Sequence, residues 1–413
     1  MKKFNLFFMS FSQNIFSSII ITVILSTVLI FGQDIIGQYR YITYSKYIMD
    51  NQYITNSDYF MLDLQNLPVN VEEMYKFTYS VRDAISEFDG VRGIAYSEKG
   101  ICKYNGIKLN TELYTDDMAD AFSKNLNQGC WFKDAKASDI PNVVLSGPLF
   151  ENVSVGNDIT ITLLGNKYDK QERSFSQKVH VIGKISYPWY NVNYSSSGDD
   201  ITMDEFMIQS NDVIFDGEDE NTVKILDEYS TYSSLGYSYF VLYDDNCKED
   251  RKQKVRDYYN TIGTYDTYDD LLEATDNKIK NELMKKLITP LFLLVVATIM
   301  LISISTLNTY KKLKDHSIYY LCGCSRRRSF LYLAAEISVS VIIAVAISLG
   351  YVIFMMEKIK TCTMGYDCLI IDYYNILISL GYAVITLAVT LIIPYAVYKK
   401  NTPIEIYRRN HND

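Results

Sequence analysis

The chain has 413 residues, a formal net charge of −9 and a mean hydropathy close to zero. It contains no G-x-x-x-x-G-K-S/T segment, which excludes ATP binding through a phosphate loop. Its only histidines, His180, His316 and His411, are too dispersed for a metal centre or a nucleophile–base pair, so no cofactor or metal is expected.

The near-zero average hides a split chain. Residues 15–31, 287–307, 330–356 and 375–397 are almost free of charge. A helix needs about 20 apolar residues to cross a hydrocarbon core of roughly 30 Å. The last three windows satisfy this, and Gly32, Ile35 and Ile36 extend the shorter first one, giving a first span over 15–36. Before it, residues 1–14 place Phe4, Phe7, Phe8 and Phe11 at spacings of three and four. That stripe fits an interfacial segment in the headgroup region, and equally the extended start of the first helix. The basic start and short apolar run resemble a signal peptide, but no A-x-A-like site follows, so the first span reads as a retained anchor.

Beyond it, Ile35, Ile36, Tyr39, Ile42 and Tyr47 continue a helical stripe through residues 33–54. The segment 37–267 then reads as a mixed α+β domain. Met74, Phe77, Val81, Ala84 and Ile85 share one face of a helix over 71–88, and a short strand follows Gly90. Strands are expected at 142–146, 158–164, 178–185 and 238–243, each β-branched or alternating between turn residues. A charged helix is expected over 248–261. Residues 268–286 form a stalk helix striped by Leu271, Leu272, Ile279 and Leu283 that runs into the second span (287–307), with the helix after the first span as its nearest partner. A basic loop (308–328), a third span (329–356), a short loop (357–374), a fourth span (375–397) and a tail (398–413) complete the chain.

Charge sets the orientation. Lys2 and Lys3 precede the first span, six Lys or Arg fill residues 311–328, and Lys399, Lys400, Arg408 and Arg409 follow the fourth. All of these lie on one side if both termini and the central loop are cytosolic. Residues 33–287 carry 26 basic and 42 acidic residues, a net of −16, and are then extracytoplasmic. That charge disfavours nucleic acid and is compatible with a cationic peptide or protein partner outside the membrane. Acidic pairs such as Asp199-Asp200, Asp244-Asp245 and Asp269-Asp270 read as solvated loops rather than catalytic dyads. The fold class is therefore a membrane protein with four transmembrane helices, one plus three, and a large α+β domain inserted on a helical stalk. The richness in Ile, Asn, Lys and Tyr, with seven Pro, points to a low-GC bacterial genome.

Three stretches carry a resemblance to a family. Asn308-Thr309, then the run Leu321-Cys322-Gly323-Cys324-Ser325-Arg326-Arg327-Arg328, then Glu336 look like an NT…LGAS-R-R…E signature. Pro394 and Pro403, nine residues apart and followed by Ile404-Glu405-Ile406-Tyr407-Arg408, are similar to a P-x8-P-V/I-E-x-L-R ending. In the outer segment LNQGCWFKD at 126–134, NVVLS at 142–146, VGNDI at 155–159 and Val181-Ile182-Gly183 follow the order of a MacB-type periplasmic domain. The chain thus resembles the FtsX-like, or MacB-type, permease subunits of ABC transporters. Departures are Cys324 in place of a small Ala, Tyr407 in place of Leu, and no match over 93–124 or 187–229.

The resemblance implies a non-enzymatic subunit of a bacterial cell membrane. It would act as a homodimer, or a heterodimer with a related permease, on a separate cytosolic ABC ATPase. ATP-driven movement would pass to the outer domain (mechanotransmission), for export of, or resistance to, a peptide, antibiotic or lipophilic substrate. The alternative is an FtsX-like transenvelope regulator that activates a cell-wall hydrolase or passes a signal. The ATPase-coupling residues are expected at Lys311, Lys312, Leu313, His316, Ser317, Tyr320 and Gly323, with Pro403, Glu405 and Arg408 in the tail. A helix here sets Leu313, Ser317 and Tyr320 on one side and Lys312 and His316 on another. Arg326–Arg328 are assigned to positive-inside anchoring ahead of motor contact. Glu336 lies about 10 Å inside the third span at 1.5 Å per residue. A hydrogen bond to a neighbouring helix is preferred there to proton coupling. The spacing of Cys362 and Cys368 permits a disulfide if their compartment oxidises, whereas Cys322 and Cys324 lack companions for zinc.

Overall fold

The computed structural model describes residues 15–63, 65, 67–68, 70–136, 138–165, 173–185, 190–192, 201–229, 238–321, 323, 325–361 and 369–400. Among the described residues, four helices are long and apolar enough to cross a membrane: one near the N-terminus and three in the C-terminal part, flanking an α+β region. They are Ile15–Asp50, Met284–Leu321, Arg326–Thr361 and Tyr373–Lys400, hereafter the first to fourth span helices. The chain separates into two compact units. One holds Met1–Gly37, Leu283–Glu357 and Ile371–Asp413; the other holds Gln38–Glu282 and Lys358–Ile370.

In the span unit, Leu25 and Leu29 of the first helix pack with Leu301 of the second, Val341 and Ala344 of the third and Ala383 of the fourth. A second cluster, Leu333 and Ile337 with Val397 and Tyr398, joins the third helix to the fourth, and Phe330 meets Tyr395 and Tyr398 edge-on. Bulky apolar residues such as Phe16, Ile288, Phe292, Ile343, Phe354 and Val384 are exposed, as lipid-facing positions are. The second helix is the least embedded: 12% of its most apolar stretch is buried, against 39% for the third.

The α+β unit begins with β1 (Ser57–Leu62), α1 (Val71–Ser86), β2 (Val91–Ala95), β3 (Ser97–Tyr104), β4 (Ile107–Tyr114) and α2 (Asp116–Ala121). Next come β5 (Gln128–Gly129), β6 (Asn142–Ser146), β7 (Asp158–Gly165), β8 (Arg173–Ile185) and β9 (Tyr190–Val192). The unit continues with α3 (Met203–Phe206), β10 (Met207–Gln209), β11 (Asp212–Asp216) and α4 (Glu220–Tyr229). It closes with β12 (Ser238–Tyr243), α5 (Glu249–Tyr259), β13 (Gly263–Thr267) and α6 (Tyr268–Asn277), followed by a π-helical turn, Lys278–Leu283.

Among the described residues two sheets organise the unit, and a short β9–β10 pair adds to them. In the first, the order is β13-β1-β12-β2 with every neighbour antiparallel. With α1 between β1 and β2 and α5 between β12 and β13, this is a split β-α-β arrangement. Residues from β3 to α4 are inserted between its halves. Val81 and Ile85 of α1 and Val255 and Tyr259 of α5 cover one face, on Phe60, Ile94, Tyr239 and Val241. Phe122 and Phe206 pack by ring contact on Phe240 of the other face, where Tyr59 also meets Phe206. Burial on both faces makes all six residues of β12 interior.

The second sheet runs β5-β8-β6-β11-β4-β3-β7, and β7 pairs again with β8, so the ladder returns on itself. The thirteen residues of β8 make this possible: Arg173–His180 pair with β7, and the stretch from His180 to Ile185 pairs with β6. Closure leaves no long free edge. The interior is apolar, including Leu109, Val143, Leu145, Phe150, Ile161, Val179, Val213 and Phe215. Asn105 and Gly106, both at positive φ, turn β3 into β4. Gly129 also has positive φ, and a Cβ there would lie 2.0 Å from the Ile182 carbonyl oxygen.

The helix after the first span does pair with the expected stalk segment. Lys46 Nζ lies 2.5 Å from Asp276 Oδ1, and the Tyr268 hydroxyl donates to Asp50 Oδ1 at 2.6 Å. Tyr41 donates to the Met207 carbonyl, and Lys278 reaches Asp204 Oδ2 at 2.9 Å. The 1–14 segment lies outside the described residues.

Candidate functional site

The basic stretch is helical at both ends. The second span helix does not stop at residue 307 but continues to Leu321, and the third begins at Arg326, leaving 322–325 as the connection. At 1.5 Å per residue, the 38 residues of Met284–Leu321 extend about 57 Å, well beyond a hydrocarbon core. Gly323 is exposed at φ +86°, a conformation that reverses a chain cheaply only at glycine. Ser325 caps the third helix, its carbonyl accepting from Arg328 N at 3.0 Å and Ser329 N at 3.2 Å. Arg326–Arg328 therefore occupy that helix's first turn.

Lys311 is exposed, and Lys312, Leu313, His316, Ser317 and Tyr320 all fall on the helical extension. Pro403, Glu405 and Arg408 lie outside the described residues, as do Cys362 and Cys368. Cys102, Cys130 and Cys247 carry no disulfide. Glu336 is 5% exposed, on the third span helix.

Polar side chains other than Glu336 also join the span helices to one another, at positions the sequence reading did not single out. Gln33 of the first helix (2% exposed) donates from Nε2 to the Asn375 carbonyl at 2.9 Å and to the Ser379 hydroxyl. Asn375 returns Nδ2–H to Gln33 Oε1 at 2.7 Å. Asn375 and Ser379 are both fully buried. The next residue of the first helix, Asp34, accepts from the Tyr351 hydroxyl of the third at 2.6 Å. Asn375 also builds the start of its own helix. Its Oδ1 accepts from Asp372 N at 3.1 Å, one half of a capping box, while Asp372 Oδ1 accepts from Tyr374 N at 2.9 Å.

Toward the other end of the fourth helix lies Pro394, in the helix interior. Proline has no N–H to give the carbonyl four residues back, and that carbonyl, of Thr390, accepts from Ser305 Oγ of the second helix at 3.5 Å. Polar groups freed inside a span must find such partners, because lipid offers none. The signals available for these contacts were Gln33 inside an apolar helix and Asn375 with Ser379 at a spacing of four. Their partners lie more than three hundred residues apart in sequence.

The α+β unit holds a different polar site. Arg256 of α5 grips Asp58 of β1 with two bonds, Nε to Oδ2 at 2.7 Å and Nη2 to Oδ1 at 2.8 Å, and also reaches Glu249. The Tyr243 hydroxyl donates to the same carboxylate at 2.8 Å. Asp58 and Arg256 are 1% and 8% exposed. The bonds to Asp58 raise the Arg256 pKa, and burial raises that of Tyr243. In the same unit, the Arg82 guanidinium lies 4.5 Å from the Tyr79 ring centroid and 3.7 Å from that of Tyr96. These are structural arrangements; among the described residues no His/Cys/Asp/Glu group is spaced to hold a metal.

No protein-family model matches the chain, and no curated protein matches it. Solved structures similar to it include the following two. The periplasmic region of MacB from Actinobacillus actinomycetemcomitans shares 12% identity, covering 54% of this chain and 94% of that one, with a TM-score of 0.32. The extracellular domain of the noncanonic ABC-type transporter YknZ from Gram-positive bacteria shares 13% identity, covering 51% of this chain and 96% of that one, with a TM-score of 0.29.

Proposed function

We propose that this chain is the permease subunit of an ABC transporter, coupling a separate cytosolic ATPase to movement of its extracytoplasmic α+β unit. The observation that carries the reading is the second span helix. It extends without a break into residues 311–321, a stretch with basic, apolar and hydroxyl side chains and a glycine turn beyond it. A rigid helix end of that composition suits docking into a cleft on a soluble partner, and continuity with a span gives a direct route for force. The one-plus-three order of span helices and the NT…LCGCSRRR…E residues support the same reading. In it the membrane is a bacterial cell membrane, both termini are cytosolic, the working form is a homodimer or a heterodimer with a related permease, and the cargo is a peptide, antibiotic or lipophilic compound. ATP chemistry belongs to the partner.

The test is co-purification of the full-length chain with the ABC ATPase of its host. Replacing residues 311–320 by Gly and Ser is expected to reduce ATPase recovery at least tenfold while membrane insertion is retained. If the unaltered chain captures no ABC ATPase, the reading is wrong.

A further inference from the structure

The contacts of Gln33 and Asp34 have a consequence beyond holding helices together. Consecutive residues on one helix necessarily face about 100° apart. Gln33 here engages the fourth span helix, and Asp34 the third. The Gln33–Asn375 contact is reciprocal: each amide donates to the other residue's oxygen, so neither helix can slide by a turn without breaking both bonds. Asn375 is at the same time the back half of the cap that starts the fourth helix, so its side chain has no freedom to swing away. Single amides in spans often find alternative partners, which keeps their average contribution small. A side chain fixed by its own helix cap has fewer alternatives.

We propose that Gln33, Asp34, Tyr351, Asn375 and Ser379 are positioning residues forming a polar lock. It makes the first, third and fourth span helices one mechanical block at the level of Gln33, against which the less embedded second helix moves. This deepens the coupling reading and rests on it for its role. The lock's existence as a rigid joint does not depend on an ATPase.

The experiment uses the full-length protein in lipid nanodiscs, with exposed native cysteines replaced and spin labels at Phe31→Cys and Leu377→Cys, both exposed positions on the joined helices. Without nucleotide, the distance distribution is expected to be narrow. Gln33→Leu keeps the Asp372–Asn375 cap but removes the amide pair, and is expected to populate open distances about threefold to twentyfold more. The exchange Gln33→Asn with Asn375→Gln keeps an amide on each helix and is expected to narrow the distribution again, which mere tolerance of any polar residue elsewhere would not do. Should Gln33→Leu fail to fold, Ser379→Ala, which removes one bond, is read in its place. An unchanged distribution on loss of the pair overturns the lock, and so does a swap that fails to restore it. With the ATPase and a non-hydrolysable nucleotide added, the 31–377 distance is expected to stay fixed while a 31–307 pair changes. A shift of several ångströms within 31–377 overturns the proposal. No nucleotide response in any pair counts against the coupling reading alone, because the nucleotide-free comparison has already decided the lock.

Discussion

Two helices of this chain start with a side chain at the third helical position accepting from the cap residue's N–H, in opposite surroundings. Before α6, Thr267 accepts from Asp270 N at 3.1 Å and donates its own N–H to Asp270 Oδ2 at 2.9 Å, in the open. Before the fourth span helix, Asp372 N–H donates to Asn375 Oδ1 in the same way, Asp372 Oδ1 accepts from Tyr374 N, and the buried Asn375 also donates from Nδ2 to Gln33. In water a cap needs only to satisfy its own helix end. Where solvent is excluded, the same residue is also drawn into joining helices, since an unused amide hydrogen would cost 1–3 kcal/mol or so. The two joints differ in charge as well. The α+β unit buries a full ion pair, Asp58–Arg256, with four hydrogen bonds linking Asp58, Arg256, Tyr243 and Glu249, while the Gln33–Asn375 joint is made of neutral amides.

The largest expected effect breaks the charged side of this comparison. Arg256→Ala leaves the Asp58 carboxylate buried beneath α5 with only Tyr243 to support it. Unfolding of the α+β unit, followed by chemical denaturation of the full chain in detergent, is expected to become easier by about 3–5 kcal/mol. Replacing both partners by apolar residues of similar size, Asp58→Leu with Arg256→Met, is expected to recover most of that loss, because the cost lies in the stranded charge. Equal losses in the single and double variants would show that the pair contributes through packing instead.

A smaller effect sharpens the helix-start comparison. Thr267→Ala removes an exposed cap and is expected to cost about 1 kcal/mol, confined to α6. It would be read as faster amide hydrogen exchange in residues 268–272 without a change in the rest of the unit. Exchange accelerating across the whole sheet would mean that this cap also carries tertiary load, as the one at Asn375 does.

The sequence made some of this legible and hid the rest for physical reasons. The strands at 142–146 and 238–243 were readable because β-branched and aromatic runs stood between turn residues, and the helix at 71–86 because its apolar face kept a helical period. β1, reading SDYFML, gave no alternation because the sheet is covered on both faces. The β3–β4 hairpin carried a usable signal, Asn105-Gly106, that was passed over amid Lys and Glu residues; one of those, Glu112, is buried beside Lys99. Closure of the second sheet depends on β8 serving two neighbours, which no local pattern records. Among site residues, the basic helix extension and Glu336 stood out by charge in an apolar context. Gln33 and Asn375 are neutral and distant in sequence, so only folding brings their meaning into view.

The smallest effect is at the margin of the same split sheet. β2 is an edge strand, and its Ile94 N–H donates to Asp117 Oδ2 at 2.8 Å, so a side chain of α2 occupies the place of a missing neighbour. Gly93 allows the approach: a Cβ there would lie 2.2 Å from that carboxylate. Burial raises the Asp117 pKa, and Asp116 and Asp120 add to the rise against the Ile94 bond and Arg92. A carboxyl whose folded pKa lies above its unfolded value binds more protons in the native state between the two, so stability falls as pH rises through that window. Asp117→Asn keeps an acceptor for Ile94 and removes the charge. It is expected to stabilise the unit at pH 7 by roughly 0.5 kcal/mol, a figure reduced for the solvent that reaches this partly exposed group. The gain is expected to vanish below the ordinary carboxylate range, where the native Asp is neutral in both states. Denaturation midpoints of the two proteins measured from pH 3 to 8 should therefore converge at the acid end. An Asn variant less stable than the native protein at pH 7 would mean that Asp117 is held ionised, and that the hydrogen bond to the strand edge outweighs burial.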